Sequence, residues 1–127
     1  MLVKTSDLIG PALDWTVAKA ERVTLSEASW RYQLEAHGCI VTPQKRELRY
    51  STDWSQGGPL IEKYRIEFSI NEDTYEVGAS LLAWRSFGKS HRTRWSKGSS
   101  HLIAACRAIV AAKLGDQVDV PDELMQS

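Results

Sequence analysis

The clearest structural signal in this chain is an alternation of apolar and polar residues over positions 64–81, which read YRIEFSINEDTYEVGASL. The apolar positions of the first half are Tyr64, Ile66, Phe68 and Ile70, and those of the second half are Tyr75, Val77, Ala79 and Leu81. Successive side chains of a strand point to opposite faces, so each half predicts a strand with one buried face. The polar residues 71–73 between them predict a turn, and the whole stretch therefore predicts a β-hairpin.

Shorter alternations precede the hairpin. Residues 30–35 alternate Trp30, Tyr32 and Leu34 with polar neighbours, and strands are also expected at 39–41 and 48–50. Helical patterns flank these strands. Apolar residues recur at helical spacing over 11–22 and over 101–114. Ser99 and Ser100 are typical of a helix start before the second segment, and Gly115 is typical of a helix end after it.

The order helix, strands, helix predicts an α+β fold: an antiparallel β-sheet of four to five strands, with an N-terminal and a C-terminal helix packed on one face. A chain of 127 residues with 43% hydrophobic and 25% charged residues is the size and composition of one globular domain spanning 1–127. Residues 116–127 are expected to lie along the surface in extended form or to reach a neighbouring subunit.

The stretch 50–62, YSTDWSQGGPLIE, shows neither the alternation of a strand nor the apolar spacing of a helix, and it is interpreted as a loop that carries the binding site. Asp53 and Gln56 offer hydrogen-bonding groups, Trp54 offers a flat apolar face, and Tyr50 precedes them. Glycine permits positive φ and close approach of the backbone to a ligand, so Gly57 and Gly58 belong to the same predicted site. The alternative is a tight structural loop in which Trp54 fills the core.

Positively charged residues provide a second set of candidates. Residues 86–98 are polar, basic and without period, and are interpreted as a long loop. Arg92 and Arg94 stand just before the predicted C-terminal helix, where backbone donors and positive charge favour an anion. Arg107 is a lone charge in an apolar helix, and it is either a ligand contact or a structural partner of Asp53 or Glu62. Trp15 lies on the first helix as a candidate pocket wall or subunit contact.

Charge and motif content exclude several classes of function. Sixteen basic and sixteen acidic residues leave no net charge, which argues against nucleic acid as the main partner, because phosphate contacts dominate such binding. The two cysteines are too few for a disulfide framework, and Cys106 is expected to be a buried thiol. No signal-peptide or membrane-spanning run is present, so a cytosolic protein is expected. No catalytic, metal-ligating or cofactor motif occurs, which favours a protein that is not an enzyme.

Three blocks of sequence carry a family resemblance. They are KTSDL, ALDW and VA within 4–18, the stretch 50–62, and LIAACR, KLGDQV and VPDEL within 102–124. In this order and spacing they resemble the NinX-like phage proteins, a family of unknown function. The resemblance implies a small accessory protein of a bacteriophage or prophage that acts in the cytoplasm of the bacterial host. It implies no reaction and no catalytic residues.

These observations predict a non-enzymatic phage protein that binds a small, anionic, nucleotide-like ligand. In size and context it is similar to the oligomeric proteins with which phages sequester nucleotide immune signals, and the surplus of tryptophan favours a homo-oligomer. The alternatives are nucleic-acid binding and inhibition of a host protein. A binder of small ligands is expected to hold Trp54 in a concavity, whereas an inhibitor is expected to show it on an exposed patch.

Overall fold

The computed structural model describes residues 1–23, 25, 38–43, 46–84 and 90–125. Three α-helices occur in these residues: α1 (Gly10–Ala20), α2 (Trp54–Lys63) and α3 (His101–Leu114). The strands in the same residues are β1 (Leu2–Lys4), β2 (Ile40–Val41), β3 (Glu47–Leu48), β4 (Glu67–Ile70), β5 (Val77–Ser80), β6 (Leu82–Trp84), β7 (Ser90–Arg92), β8 (Ser96–Gly98) and β9 (Gln117–Asp119). Short 3-10 turns follow β1 at Thr5–Asp7 and β9 at Asp122–Met125.

The predicted hairpin is β4–β5, and β8 extends it to a three-stranded antiparallel sheet in the order β4-β5-β8. The other strands form two-stranded antiparallel pairs, β1–β9, β2–β3 and β6–β7. The predicted α+β class with antiparallel pairing is confirmed. The described strands are divided among several small sheets instead of one sheet of four to five, and each of these strands is only two to four residues long.

Helix α3 lies at the centre of the fold. Its residues Ala104 and Ala108 pack on Val77 and Ala79 of β5, while Cys106, Ile109 and Val110 belong to the larger core shared with α1. A helix that is apolar around most of its circumference is expected to be buried on several sides. The predicted bounds of α3, its Ser100 cap and its end at Gly115 are confirmed, as is the burial of the Cys106 thiol.

Helix α1 packs on α3 and on the β2–β3 pair, whereas the helix that packs on the three-stranded sheet in the described residues is chiefly α3. Its buried residues include Leu13 and Val17, which are fully enclosed. At its C-terminal end, Glu21 accepts hydrogen bonds from Tyr64 Oη and from Lys63 Nζ, the latter at 2.9 Å. These contacts tie α1 to the end of α2.

The interpretation of 50–62 as a loop is wrong, because α2 occupies most of this stretch. Asp53 caps the helix by accepting a hydrogen bond from the Ser55 amide at 2.9 Å. Gly57 and Gly58 are helical and do not use positive φ. Two glycines and Pro59 disguise the helical period, since Gly57 occupies a buried helix position without presenting an apolar side chain.

The interpretation of 86–98 as one loop is also wrong where the structure describes it, because β7 and β8 occupy most of 90–98. Residues 116–127 were expected in extended form, and β9 pairs there with β1 at the N-terminus, with Val3 opposite Val118. Both segments are too short and too polar to show a clear alternation. The strand predicted at 30–35 lies outside the described residues.

The two helical glycines of α2 give a matched test of this packing. A Cβ on Gly57 would lie 2.5 Å from Tyr50 O and 2.6 Å from Leu102 Cδ2, whereas a Cβ on Gly58 meets nothing within 4 Å. We expect Gly57→Ala to lower the free energy of unfolding by about 1–3 kcal/mol through overpacking. We expect Gly58→Ala to raise it by up to about 1 kcal/mol, because alanine is the better helix former. Urea unfolding of both variants measures the difference, and equal effects would contradict the position of α2 against α3.

Candidate functional site

The structure places the ten residues predicted as a site in separate regions of the fold. Six of them lie on or beside α2, where their interactions are chiefly structural: Tyr50, Asp53, Trp54, Gln56, Gly57 and Gly58. Trp15 lies on α1, Arg92 ends β7, and the remaining two, Arg94 and Arg107, line a common cavity.

The polar residues of α2 bind the protein's own backbone. Gln56 Oε1 accepts a hydrogen bond from the Arg49 amide, and Gln56 Nε2 donates one to Glu47 O, both at 2.8 Å. Asp53 Oδ1 accepts hydrogen bonds from the amide and from the hydroxyl of Ser55, and these bonds lower the pKa of the Asp53 carboxyl. The two side chains therefore fix α2 to β3 and cap its first turn.

Trp54 is 58% exposed, and it is not a lining residue of the cavities beside Trp15 and Arg107. Its ring centroid is 6.4 Å from that of His101, which in turn contacts the edge of Phe68 at 4.9 Å. Tyr50 is buried, and burial raises the pKa of its hydroxyl. Of the α2 candidates, Trp54 is thus the one that offers a large exposed surface.

Trp15 lines a second cavity of about 360 Å³, between α1 and β9. Thr16, Lys19, Leu114 and Gln117 contribute to the same cavity. Lys19 Nζ lies 5.2 Å from the Trp15 ring centroid, in a cation–π arrangement. The interpretation of Trp15 as a pocket wall agrees with this position.

A cavity of about 660 Å³ lies against α3, and we call it the basic cleft. Its lining residues are Lys4–Ser6, 93–97, Asp116, Gln117 and one face of α3 made of Arg107, Ala108, Ala111 and Ala112. Small-molecule sites commonly measure about 300–1,000 Å³. The three alanines form an apolar floor, and Trp95, which is 51% exposed, contributes an aromatic wall.

Arg107 is held at the rim of the basic cleft by two backbone carbonyls. Its Nε donates to Leu8 O at 2.9 Å, and its Nη1 donates to Lys97 O at 2.8 Å. No carboxylate forms an ion pair with it among the described residues, so its predicted pairing with Asp53 or Glu62 is not observed in that part of the chain. Partial burial lowers the pKa of Arg107, while Asp7 and Glu76 oppose this effect.

Charge in the basic cleft is strongly one-sided. Four of its lining residues are basic, namely Lys4, Arg94, Lys97 and Arg107, and one is acidic, Asp116. Like charges gathered around a concavity focus the electrostatic potential and attract ions of the opposite sign. The chain as a whole has no net charge, so this excess of positive charge is a local property. The cleft is therefore suited to an anion.

Several residues of the basic cleft were not among the predicted site residues. Lys4 has no signal in the sequence, because its place in the cleft follows from the pairing of β1 with β9. Trp95 and Lys97 belong to the segment that was interpreted as a loop. The sequence shows that one is aromatic and the other basic, but it does not show that both lie beside α3. The side chain of Arg92 lies outside the described set, so its relation to the cleft stays a prediction.

Asp14 is a buried carboxylate that the sequence analysis did not single out. Its Oδ1 accepts a hydrogen bond from the Ser51 amide at 2.8 Å, which connects α1 to the turn before α2. Burial raises the pKa of Asp14 to about 6, although the hydrogen bonds from Ser51 and the positive charge of Arg49 act against the rise. Asp14 is a structural group, since it lies in the interior away from both cavities.

Metal-ligand clusters and membrane-spanning helices are absent from the part of the chain that the structure describes. No three or more histidine, cysteine, aspartate or glutamate side chains there come together as metal ligands. None of its helices has the length and apolar character needed to cross a membrane.

A family model described as "Bacteriophage P22, NinX" matches residues 4–113. The chain belongs to this phage family. The match begins at the last residue of β1 and ends one residue before the end of α3, so it includes α1, α2 and nearly all of α3. It also includes most of the basic cleft, whose residues Asp116 and Gln117 lie just beyond it. No curated protein matches the chain. Membership confirms the resemblance that the three sequence blocks carry.

Asp14 predicts a specific pH dependence of stability. Its pKa is about 6 in the folded protein, against an ordinary value of 3.8, so between these values the folded state binds more proton than the unfolded state. The contribution of Asp14 to stability is therefore largest below pH 4 and decreases as the pH rises to 6. We expect the wild-type protein to lose about 2 kcal/mol relative to Asp14→Asn between pH 4 and pH 7, at about 1.4 kcal/mol per pKa unit. Asparagine retains an oxygen for the Ser51 amide.

Urea unfolding of both proteins across this pH range measures the difference between their free energies of unfolding. The contributions of the other titrating groups cancel in this difference. A difference that is constant with pH would show that Asp14 has an ordinary pKa.

Proposed function

We propose that this phage protein binds a small anionic, nucleotide-like ligand in the basic cleft and does not transform it. The observation that supports the proposal is the combination of four basic residues, an aromatic wall and an alanine floor around one cavity of about 660 Å³. Cations would bind the charged part of the ligand, and Trp95 offers a face to its planar ring. The proposed place of action is the bacterial cytoplasm, with sequestration of a host nucleotide signal as the biological role.

The proposal places the ligand away from α2, where the sequence suggested a site. Gln56 uses its amide on the backbone of Glu47 and Arg49, and Asp53 is a helix cap. Gly57 lies against Tyr50 and Leu102, which leaves no space for a ligand beside it. Of the predicted residues, Arg94 and Arg107 are those that the proposed site retains.

Inhibition of a host protein is a second candidate, and the exposure of Trp54 favours it. An exposed aromatic side chain beside His101 and Phe68 is suited to a protein contact more than to a small ligand. Homo-oligomer formation stays a prediction that either function can accommodate.

Two exposed tryptophans separate the candidates. Trp95 and Trp54 are 51% and 58% exposed, and only Trp95 lines the basic cleft. We expect a nucleotide to raise the melting temperature by mass action, with about 2.7 kcal/mol of stabilisation at a concentration 100 times Kd. Trp95→Leu is expected to weaken this binding by about tenfold, because stacking of a base on an aromatic ring contributes about 1–3 kcal/mol. Trp54→Leu is expected to leave it unchanged.

The measurement is a thermal-shift titration of the wild-type protein and both variants with mono-, di- and cyclic nucleotides. The charge requirement is tested in the same assay by Arg94→Gln, with Arg46→Gln as the control that removes an exposed arginine outside the cleft. Absence of any shift, or a shift abolished by Trp54→Leu and retained in Trp95→Leu, would contradict the proposed function.

A further inference from the structure

The alternation of hydrogen-bonded and non-hydrogen-bonded pairs in the three-stranded sheet determines the direction in which the N–H and C=O groups of each β8 residue point. At the end of the β4–β5 hairpin, the Asn71 amide donates to Glu76 O at 2.9 Å, while the Glu76 amide donates to Thr74 Oγ1. The Asn71 bond shows that residues 71 and 76 face each other at a hydrogen-bonding position of the ladder. Hydrogen-bonded and non-hydrogen-bonded pairs alternate along an antiparallel ladder. Two positions further on, Ser69 and Gly78 are therefore hydrogen-bonded to each other, and the amide and carbonyl of Gly78 point towards β4.

Lys97 of β8 stands opposite Gly78 on the other side of β5. Because the polar groups of Gly78 point to β4, Gly78 and Lys97 form a non-hydrogen-bonded pair, and the amide and carbonyl of Lys97 point away from β5. β8 is the edge strand of this sheet, so they point out of it. The bond from Arg107 Nη1 to Lys97 O agrees with this direction. Lys97 lines the basic cleft, so its N–H is a backbone donor on the cleft side of β8.

Arg107 brings further donors to the same point. A guanidinium has five N–H groups, and the bonds to Leu8 O and Lys97 O use two of them. Three N–H groups, two on Nη2 and one on Nη1, remain for a ligand, and the two carbonyl contacts hold the guanidinium plane in place next to the Lys97 carbonyl. Lys4 and Arg94 add positive charge along the same cleft.

We infer that a phosphoryl group is the part of the ligand that binds here, with its oxygens accepting hydrogen bonds from the Lys97 amide and from Arg107 Nη2. This inference rests on the proposed function, since it specifies what the basic cleft binds. A phosphoryl group presents several oxygens in different directions and up to two negative charges. The donors here likewise come from an edge amide, a guanidinium and separate cations. A carboxylate has two oxygens in one plane, which a single guanidinium fork already satisfies.

Nuclear magnetic resonance tests directly whether this phosphoryl anchor, formed by the Lys97 amide and Arg107, binds its ligand. Pyrophosphate is the probe, and succinate is the comparison compound, because it carries two negative charges on carboxylates instead of phosphoryl groups. In the wild-type protein, the Lys97 amide and the Arg107 Nε–H resonances are expected to shift together and to saturate with one Kd for pyrophosphate. Succinate is expected to bind at least tenfold more weakly.

Variants separate geometry from charge. Arg107→Lys keeps the positive charge but loses the planar fork, and it is expected to weaken pyrophosphate binding by about tenfold, as for loss of one charge-assisted hydrogen bond. Arg94→Gln removes a cleft charge without touching the Arg107 contacts, and it is expected to weaken binding while the Lys97 amide still shifts. Arg46→Gln is the control and should bind as the wild-type protein does. The wild-type titration and Arg94→Gln decide the matter if Arg107→Lys does not fold.

The outcomes distinguish this inference from the proposed function. If nucleotides bind in a Trp95-dependent manner but the Lys97 amide does not shift, or if succinate binds as well as pyrophosphate, the phosphoryl anchor is wrong and the proposed function stands. If pyrophosphate shifts both resonances but no nucleotide binds, the anchor stands and the nucleotide ligand is wrong. If neither compound binds, both are wrong.

Discussion

The close approach of neighbouring backbones to α3 is the constraint on which the rest of the fold depends. Gly98 of β8 lies so near that a Cβ there would be 2.6 Å from the Ala104 amide nitrogen, and a Cβ on Gly57 of α2 would be 2.6 Å from Leu102 Cδ2. Small residues on α3, chiefly Ala104 and Ala108, permit the sheet to pack at this short distance. Glycine and alanine here remove side-chain bulk, so that one central helix contacts a sheet and two other helices.

The basic cleft is a consequence of that arrangement. Further along α3, past its contact with Gly98, lie Ala108, Ala111 and Ala112. Their small side chains leave a volume of about 660 Å³ between the β8 edge and the N-terminal strand. Arg107 lies at the rim of this space, where it donates to the Leu8 carbonyl and to the Lys97 carbonyl. Because these two carbonyl contacts already hold the Arg107 guanidinium in place, its side chain loses little conformational freedom when an anion binds, which favours affinity for the anion.

Much of the fold was readable from the sequence, whereas the grouping of site residues was not. α3 could be predicted to the residue, because Ser100, a long apolar pattern and Gly115 all agree, and the β4–β5 hairpin followed from its strict alternation. α2 was missed because Gly57 and Pro59 conceal its helical period, although Asp53 followed by Gln56 three residues later is a helix-start signature. Lys4, Trp95 and Arg107 meet only through the pairing of β1 with β9 and the position of β8 on α3. These are long-range contacts, which no local pattern encodes.

The most direct test of the central claim, that the basic cleft binds an anionic nucleotide-like ligand, is to locate a bound nucleotide by covalent capture. A photoreactive nucleotide is crosslinked to the wild-type protein, with and without an excess of the unmodified nucleotide, and the attached peptides are identified by mass spectrometry. The account predicts saturable labelling within residues 93–97 or on the part of α3 that follows Arg107. Labelling concentrated on residues 53–56, or labelling that the unmodified nucleotide does not suppress, would contradict it.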